Sequence, residues 1–250
     1  MPLYEKRDSI LIFRNSQKMK LTTGLARTGA LFAILGALAL SGCSSTGSSS
    51  NAGVAGKAAD PVQKSSRIID LNIKAQATRT GEVYLMRGLA DIFSRGMDVM
   101  AAKLNRAGVF AVSDSYVNWQ EMADDIIARN KRKQVSYPVV IMGHSLGAND
   151  ASKMATYLGE RGVKVSYVVT FDPTETGYVG KNVDKVVNYY LPNGKNVVRK
   201  GAGFTGRLEN ISMAGREEIT HTTIEKNVGL QSRAIGYIMS ITKKLPKKRS

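Results

Sequence analysis

From residue 83 to residue 171 the chain alternates short apolar, β-branched runs with segments of helical period. Val83-Tyr84-Leu85-Met86, Val109-Phe110-Ala111-Val112, Val139-Val140-Ile141-Met142 and Val163–Phe171 read as strands. Between them, Ser94–Ala107 places Met97, Met100, Ala101 and Leu104 on one helical face, with Gly108 at its end. Trp119 to about Lys131 turns Met122, Ile126 and Ile127 inward, and Leu146–Leu158 is closed by Gly159 and Gly162. A further strand, Lys185–Leu191, stops at Pro192-Asn193-Gly194. The pattern weakens over 195–220, where Arg207–Met213 reads as a last strand and the glycine-rich, basic stretch 194–206 as a mobile surface loop. Thr222–Ile241 reads as the terminal helix. No internal repeat appears. Strand and helix alternating in this way predict an α/β fold in one compact domain, its central sheet mainly parallel and flanked by helices.

The N-terminal quarter follows another rule. Residues 31–40 are uncharged and apolar, preceded by Lys18, Lys20 and Arg27 and followed by Ser41-Gly42-Cys43. Ten residues are too few to span a bilayer, and the order of charge, apolar run and small residues is that of a secretory signal. Met19-Lys20 begins a signal of more usual length, making Met19 an alternative start. Residues 43–66 are rich in Ser, Gly, Ala and Thr and bury too little to offset ordering, so they read as a flexible tether. The domains are therefore 1–42 signal peptide, 43–66 tether and 67–250 the folded domain. Leu40-Ser41-Gly42-Cys43 resembles the bacterial lipobox. That resemblance implies that Cys43 is acylated and becomes the mature N-terminus, and Ser44 beside it implies outer-membrane export and a periplasm-facing domain.

Charge adds little. The 250 residues carry a formal +16; residues 1–42 hold six basic and two acidic side chains, leaving +12 on the remainder. The excess gathers in Lys131-Arg132-Lys133 and in Lys243–Arg249, which read as solvated helix ends and a tail, with no nucleic-acid-binding signature beside them. No nucleic-acid partner is expected. Cys43 is the only cysteine, which excludes an internal disulfide, a thiolate nucleophile and a cysteine metal site from the domain.

The chemistry concentrates in Gly143-His144-Ser145-Leu146-Gly147-Ala148, which follows an apolar strand and opens a helix. A strand-to-helix turn that tight leaves no room for side chains at Gly143 and Gly147, and raises Ser145 on strained backbone with its hydroxyl exposed. The helix start offers free N–H groups and positive potential to a developing oxyanion. A serine hydroxyl needs a base, and the base an orienting partner. Only two histidines exist. His144 occupies the elbow position whose side chain points away from the hydroxyl, so His221, before the terminal helix, is the base by elimination. The orienting acid belongs at the carboxyl end of a strand between the two. Asp172, after Val168-Val169-Thr170-Phe171 and before Pro173, fits best. Its rivals are Asp184, which precedes a strand, and Glu217 and Glu218 on the loop near His221. Leu146 supplies one oxyanion N–H. Leu89 supplies the other, with Gly88 opening the backbone to substrate.

Over about residues 81–240 the chain resembles the α/β-hydrolase superfamily, and the elbow with Phe171-Asp172-Pro173 resembles lipases of the pancreatic type. The resemblance implies a serine hydrolase acting on carboxylic esters through an acyl-enzyme, with a small acyl or ester substrate. Arg87-Gly88 replaces the usual His-Gly of the lipase oxyanion loop; Arg87 reads either as an ion-pair partner or as a ligand for an anionic substrate group. Thioester or amide cleavage by the same residues, and a non-catalytic envelope binding module on the same scaffold, are the alternatives. No metal-ligand cluster or phosphate loop occurs, and no cofactor is implied. Mass spectrometry of the mature N-terminus should find an acylated Cys43; unprocessed or unmodified Cys43 would overturn the lipid anchor.

Overall fold

In a computed structural model the structure describes residues 74, 76–89, 94–192 and 196–246. The expected signal peptide, Cys43, the 43–66 tether and the tail after Pro246 lie outside the described residues.

Eight strands and four helices occur among them: β1 Glu82–Arg87, α1 Arg95–Arg106, β2 Phe110–Ser115, α2 Trp119–Lys131, β3 Val139–His144, α3 Leu146–Glu160, β4 Val165–Phe171, β5 Gly177–Val179, β6 Lys185–Tyr190, β7 Val198–Lys200, β8 Arg207–Ser212 and α4 Val228–Ile241. Six form one sheet in the order β2-β1-β3-β4-β6-β8. Every pair is parallel, with β1 beside β3 in the register Glu82↔Val139 to Met86↔Gly143. Parallel neighbours require crossovers: α1, α2 and α3 lie in those that lead up to β4, while the short strands β5 and β7 lie in the two that follow. Side chains alternate accordingly. Val83, Leu85, Val140 and Met142 pack toward α1 and α4, while Tyr84, Met86, Val139 and Ile141 pack toward α2 and α3. Strand order reverses between β1 and β3, which opens a crevice at their carboxyl ends.

Two sequence expectations change. The stretch 194–206 is not simply a mobile loop: Val198–Lys200 form β7, paired in parallel with β5, and Asn196 and Val198 are buried. The terminal helix begins at Val228 rather than Thr222. Asn227 caps it by accepting from the Leu230 N–H at 3.1 Å, while the Thr223 hydroxyl accepts from the Thr220 N–H at 2.8 Å and holds the preceding residues in turns. Short hydroxyl side chains compete with helical bonding in this way.

One buried ionic cluster fastens α2 beneath the sheet. Glu82 is fully buried and accepts from both Arg129 (Nη1, 2.8 and 2.9 Å) and Lys74 (Nζ, 2.8 Å), from the Tyr84 hydroxyl at 2.6 Å and from the Ser136 N–H at 2.9 Å. Removing one partner of such a pair strands the other's charge. Glu82→Ala should therefore cost about 3–5 kcal/mol in chemical denaturation; a loss under about 1 kcal/mol, the range of exposed pairs, would show that the cluster is not a fastening.

Candidate active site

The turn from β3 into α3 sets the centre of the site. A Cβ on Gly143 would lie 2.1 Å from the Gly147 carbonyl oxygen, and one on Gly147 would lie 2.3 Å from that of Met86. Helix and strand therefore approach as closely as bare backbone allows. Ser145 between them takes φ 58° and ψ −124°, a left-handed strain held by its surroundings. Its N–H reaches the Phe171 carbonyl at 3.0 Å, and its own carbonyl accepts from Ala148 at 2.9 Å. The Leu146 N–H, first in the helix, has no intrahelical acceptor.

Ser145, Asp172 and His221 come together. His221 Nε2 lies 2.9 Å from Ser145 Oγ, and Nδ1 lies 2.6 Å from Asp172 Oδ2. Asp172 is buried at the end of β4 with φ 45°. Its other oxygen, Oδ1, accepts from the Leu191 N–H at 2.9 Å and from Asn196 Nδ2 at 2.5 Å. With Oδ1 so occupied, Oδ2 faces the imidazole. The hydrogen bond to Asp172 raises the His221 pKa above 6.5, against partial desolvation. His221 is 43% exposed at its side chain, so the relay opens to solvent on one side.

The rival acids stand elsewhere. Asp184 pairs with Lys164 at 3.1 Å, before β6 and so at the opposite edge of the sheet, and Glu217 and Glu218 are exposed. Gly88 leaves β1 directly over the serine: a Cβ there would lie 2.9 Å from Ser145 Cβ. Leu89 follows at the crevice with its side chain 63% exposed, and its N–H has no partner among the described residues. Arg87 donates to Asp98 Oδ1 at 2.9 Å and to the Ser113 carbonyl at 3.3 Å, which ties β1 to α1 and β2. That is the ion-pair role.

Three polar supports escaped the sequence reading. Asn196 donates to Asp172 and to the Leu191 carbonyl. Asn149 clasps Thr174, donating to its hydroxyl at 2.7 Å and accepting its N–H at 2.9 Å, which fixes the loop after Asp172 to α3. Buried Asn188 accepts from the Thr170 hydroxyl at 2.7 Å and donates to the Asn196 carbonyl at 2.9 Å. The one signal in the chain was the polar Asn188 inside the apolar run Val186-Val187-Asn188-Tyr189.

A parallel sheet crossed by helices, a serine elbow after β3, an acid after the next long strand and a histidine after the last make the arrangement plain. The domain has the α/β-hydrolase fold. Within the chain, residues 87–185 match the family model "Thioesterase domain". No curated protein matches. Among solved structures, the chain is similar to Est1E from Butyrivibrio proteoclasticus (11% identity, TM-score 0.44, covering 67% of this chain and 90% of that one). It is also similar to the NocB thioesterase domain from the nocardicin cluster (12%, TM-score 0.41, 66% and 96%) and to the type II thioesterase BorB from the borrelidin cluster (10%, TM-score 0.42, 66% and 93%).

The two imidazoles should titrate apart. His144 is buried, which pushes its pKa down to about 4, whereas Asp172 holds that of His221 above 6.5. In an NMR titration His221 should gain its proton first as pH falls, and Asp172→Asn should bring its midpoint down, while His144 stays neutral until strongly acid pH. A His144 midpoint near 6.5 would contradict the site as described.

Proposed function

We propose that this chain is a serine hydrolase of acyl substrates. The observation that carries the reading is the relay itself, 2.6 Å from acid to imidazole and 2.9 Å from imidazole to hydroxyl. In the proposed reaction Ser145 Oγ attacks the acyl carbon as its proton passes to His221 Nε2. The N–H groups of Leu146 and Leu89 hold the oxyanion, each such donor being worth about 3–4 kcal/mol in the transition state. The imidazolium, stabilised by Asp172, returns the proton to the departing alkoxide or thiolate. Water then enters and its oxygen bonds the acyl carbon as it loses a proton to the same nitrogen. The acyl C–Oγ bond breaks, the acid departs and the proton returns from His221 Nε2 to Ser145 Oγ. No metal or cofactor takes part in these steps.

Carboxylic esters are the first substrate class, and the likeness of residues 87–185 to thioesterase domains supports acyl thioesters as a second. The lipobox-like Leu40–Cys43 adds the proposal of a lipid-anchored enzyme at the cell envelope, working at the outer membrane on the periplasmic side.

A fluorophosphonate probe should label the mature wild-type protein and not Ser145→Ala, and p-nitrophenyl esters or acyl thioesters should be turned over. Ser145→Ala should lose about five to six orders of magnitude in kcat, and Asp172→Asn about four, with Asp184→Asn unchanged. A folded wild type that takes no label and turns over neither substrate class would overturn the reading and leave the scaffold as a binding module.

A further inference from the structure

His144, the histidine within the elbow, does not touch the serine hydroxyl, yet both of its ring nitrogens have partners beside the relay. His144 is 1% exposed, with its ring centroid 5.0 Å from that of His221. Nδ1 lies 2.8 Å from Ser94 Oγ, and Nε2 lies 2.7 Å from the backbone carbonyl of His221. A carbonyl can only accept, so Nε2 carries the proton. Ser94 Oγ already accepts from the Gly88 N–H at 2.8 Å, so its own proton goes to Nδ1. One direction of donation satisfies the whole chain: Gly88 N–H to Ser94, Ser94 O–H to His144 Nδ1, His144 Nε2–H to the His221 carbonyl. This is the neutral tautomer that burial favours.

Ser94 adds a second observation. It occupies the N-cap position of α1, yet its hydroxyl makes no capping hydrogen bond there. A serine at that position ordinarily stabilises the helix by about 1 kcal/mol through its side chain. Here the hydroxyl is turned instead toward Gly88 and His144. The two ends of this chain are the residue that precedes the proposed oxyanion donor Leu89 and the backbone of the proposed base. The base's imidazole is fixed by Asp172 and Ser145, but neither bond controls the loop that carries it.

We propose that His144 is a positioning residue, locking the loop that bears the base to the loop that bears the second oxyanion donor, with Ser94 as the link. The proposal rests on the hydrolase reading for its consequence in turnover, though the coupling between the loops exists without turnover. Charged groups facing the pair are few. Glu225, fully buried, places Oε2 3.7 Å from His144 Nε2; Lys226 Nζ lies 3.8 Å from Glu225 Oε1; Asp172 faces His221.

Three variants test the link. His144→Phe keeps the ring and loses both bonds, His144→Gln keeps an acceptor and a donor, and Ser94→Ala cuts the chain above the ring. Against a wild type that turns over an acyl ester, His144→Phe should lose about 100-fold in kcat with KM little changed, the scale of a small misplacement of reacting groups. His144→Gln should recover most of the loss. The acid limb of kcat/KM should move to lower pH in His144→Phe, because a loosened His221 no longer keeps the Asp172 bond that raises its pKa. A ring that merely fills space would lower thermal stability and leave that limb in place. The His221 midpoint in an NMR titration reads the same coupling without catalysis. A fall in that midpoint in a protein that hydrolyses nothing would sink the hydrolase reading and keep the link. An unchanged midpoint and an unchanged kcat would sink the link. Should His144→Phe fail to fold, Ser94→Ala, which leaves the buried ring in place, carries the same expectations and the same refutation.

Discussion

The approach of α3 to the sheet, backbone against backbone, is the constraint on which the site depends. Gly147 has its Cα hydrogen where any Cβ would enter the Met86 carbonyl, and Gly143 stands in the same relation to Gly147. Because the helix starts that close, Ser145 must take a strained left-handed conformation, and its hydroxyl projects from the crevice instead of packing into the sheet. The same closeness brings the positive end of α3 to the carboxyl ends of β1 and β3. Loosening it by one methyl group would separate nucleophile, helix terminus and the Gly88 loop together.

Around that fixed point the side chains are held by polar bonds made inside a low-dielectric interior, where a satisfied network is rigid and an unsatisfied one is costly. Asp172 shows the logic. One carboxylate oxygen is taken by Leu191 and Asn196, which leaves the other to the imidazole. The two histidines show it again with opposite sign. His221 is half exposed and paired with a carboxylate, which favours its charged form; His144 is buried, with neutral partners at hydrogen-bond distance, and is driven to remain neutral. Environments that push two like groups apart in this way divide their roles: one is fit to carry a proton and the other to hold a geometry.

Much of the fold was readable because the central strands β1, β3 and β4 are largely apolar on both faces and the helices are amphipathic, so the period changes sharply at their boundaries. The failures have local causes. The helical pattern runs back to Thr222 because hydroxyl residues carry no strong anti-helical signal along the chain, and the turn bonds of Thr220 and Thr223 that compete with a helix form only in the folded loop. The stretch 195–206 resisted because β7 has three residues and is stabilised by β5 and by Asn210, partners that lie outside any local window. Leu191, Asn196 and Ser94 were invisible for a like reason, since their partners are a carboxylate, a backbone amide or a ring brought from another element.

The sequence by itself determined which residues are the candidates for the proposed chemistry. A glycine-flanked serine after an apolar strand has few other uses, and a chain with two histidines, one inside the elbow, leaves a single base. The preference for Asp172 over Asp184 also follows from strand order along the chain, since one closes a strand and the other opens one. Only the tertiary structure decided how those groups are held. The bonds from His144 to Ser94 and to the His221 carbonyl join residues 50 and 77 positions apart. Contacts at such separation are fixed by which loops the parallel crossovers deliver to one edge of the sheet, and no periodicity along the chain encodes that.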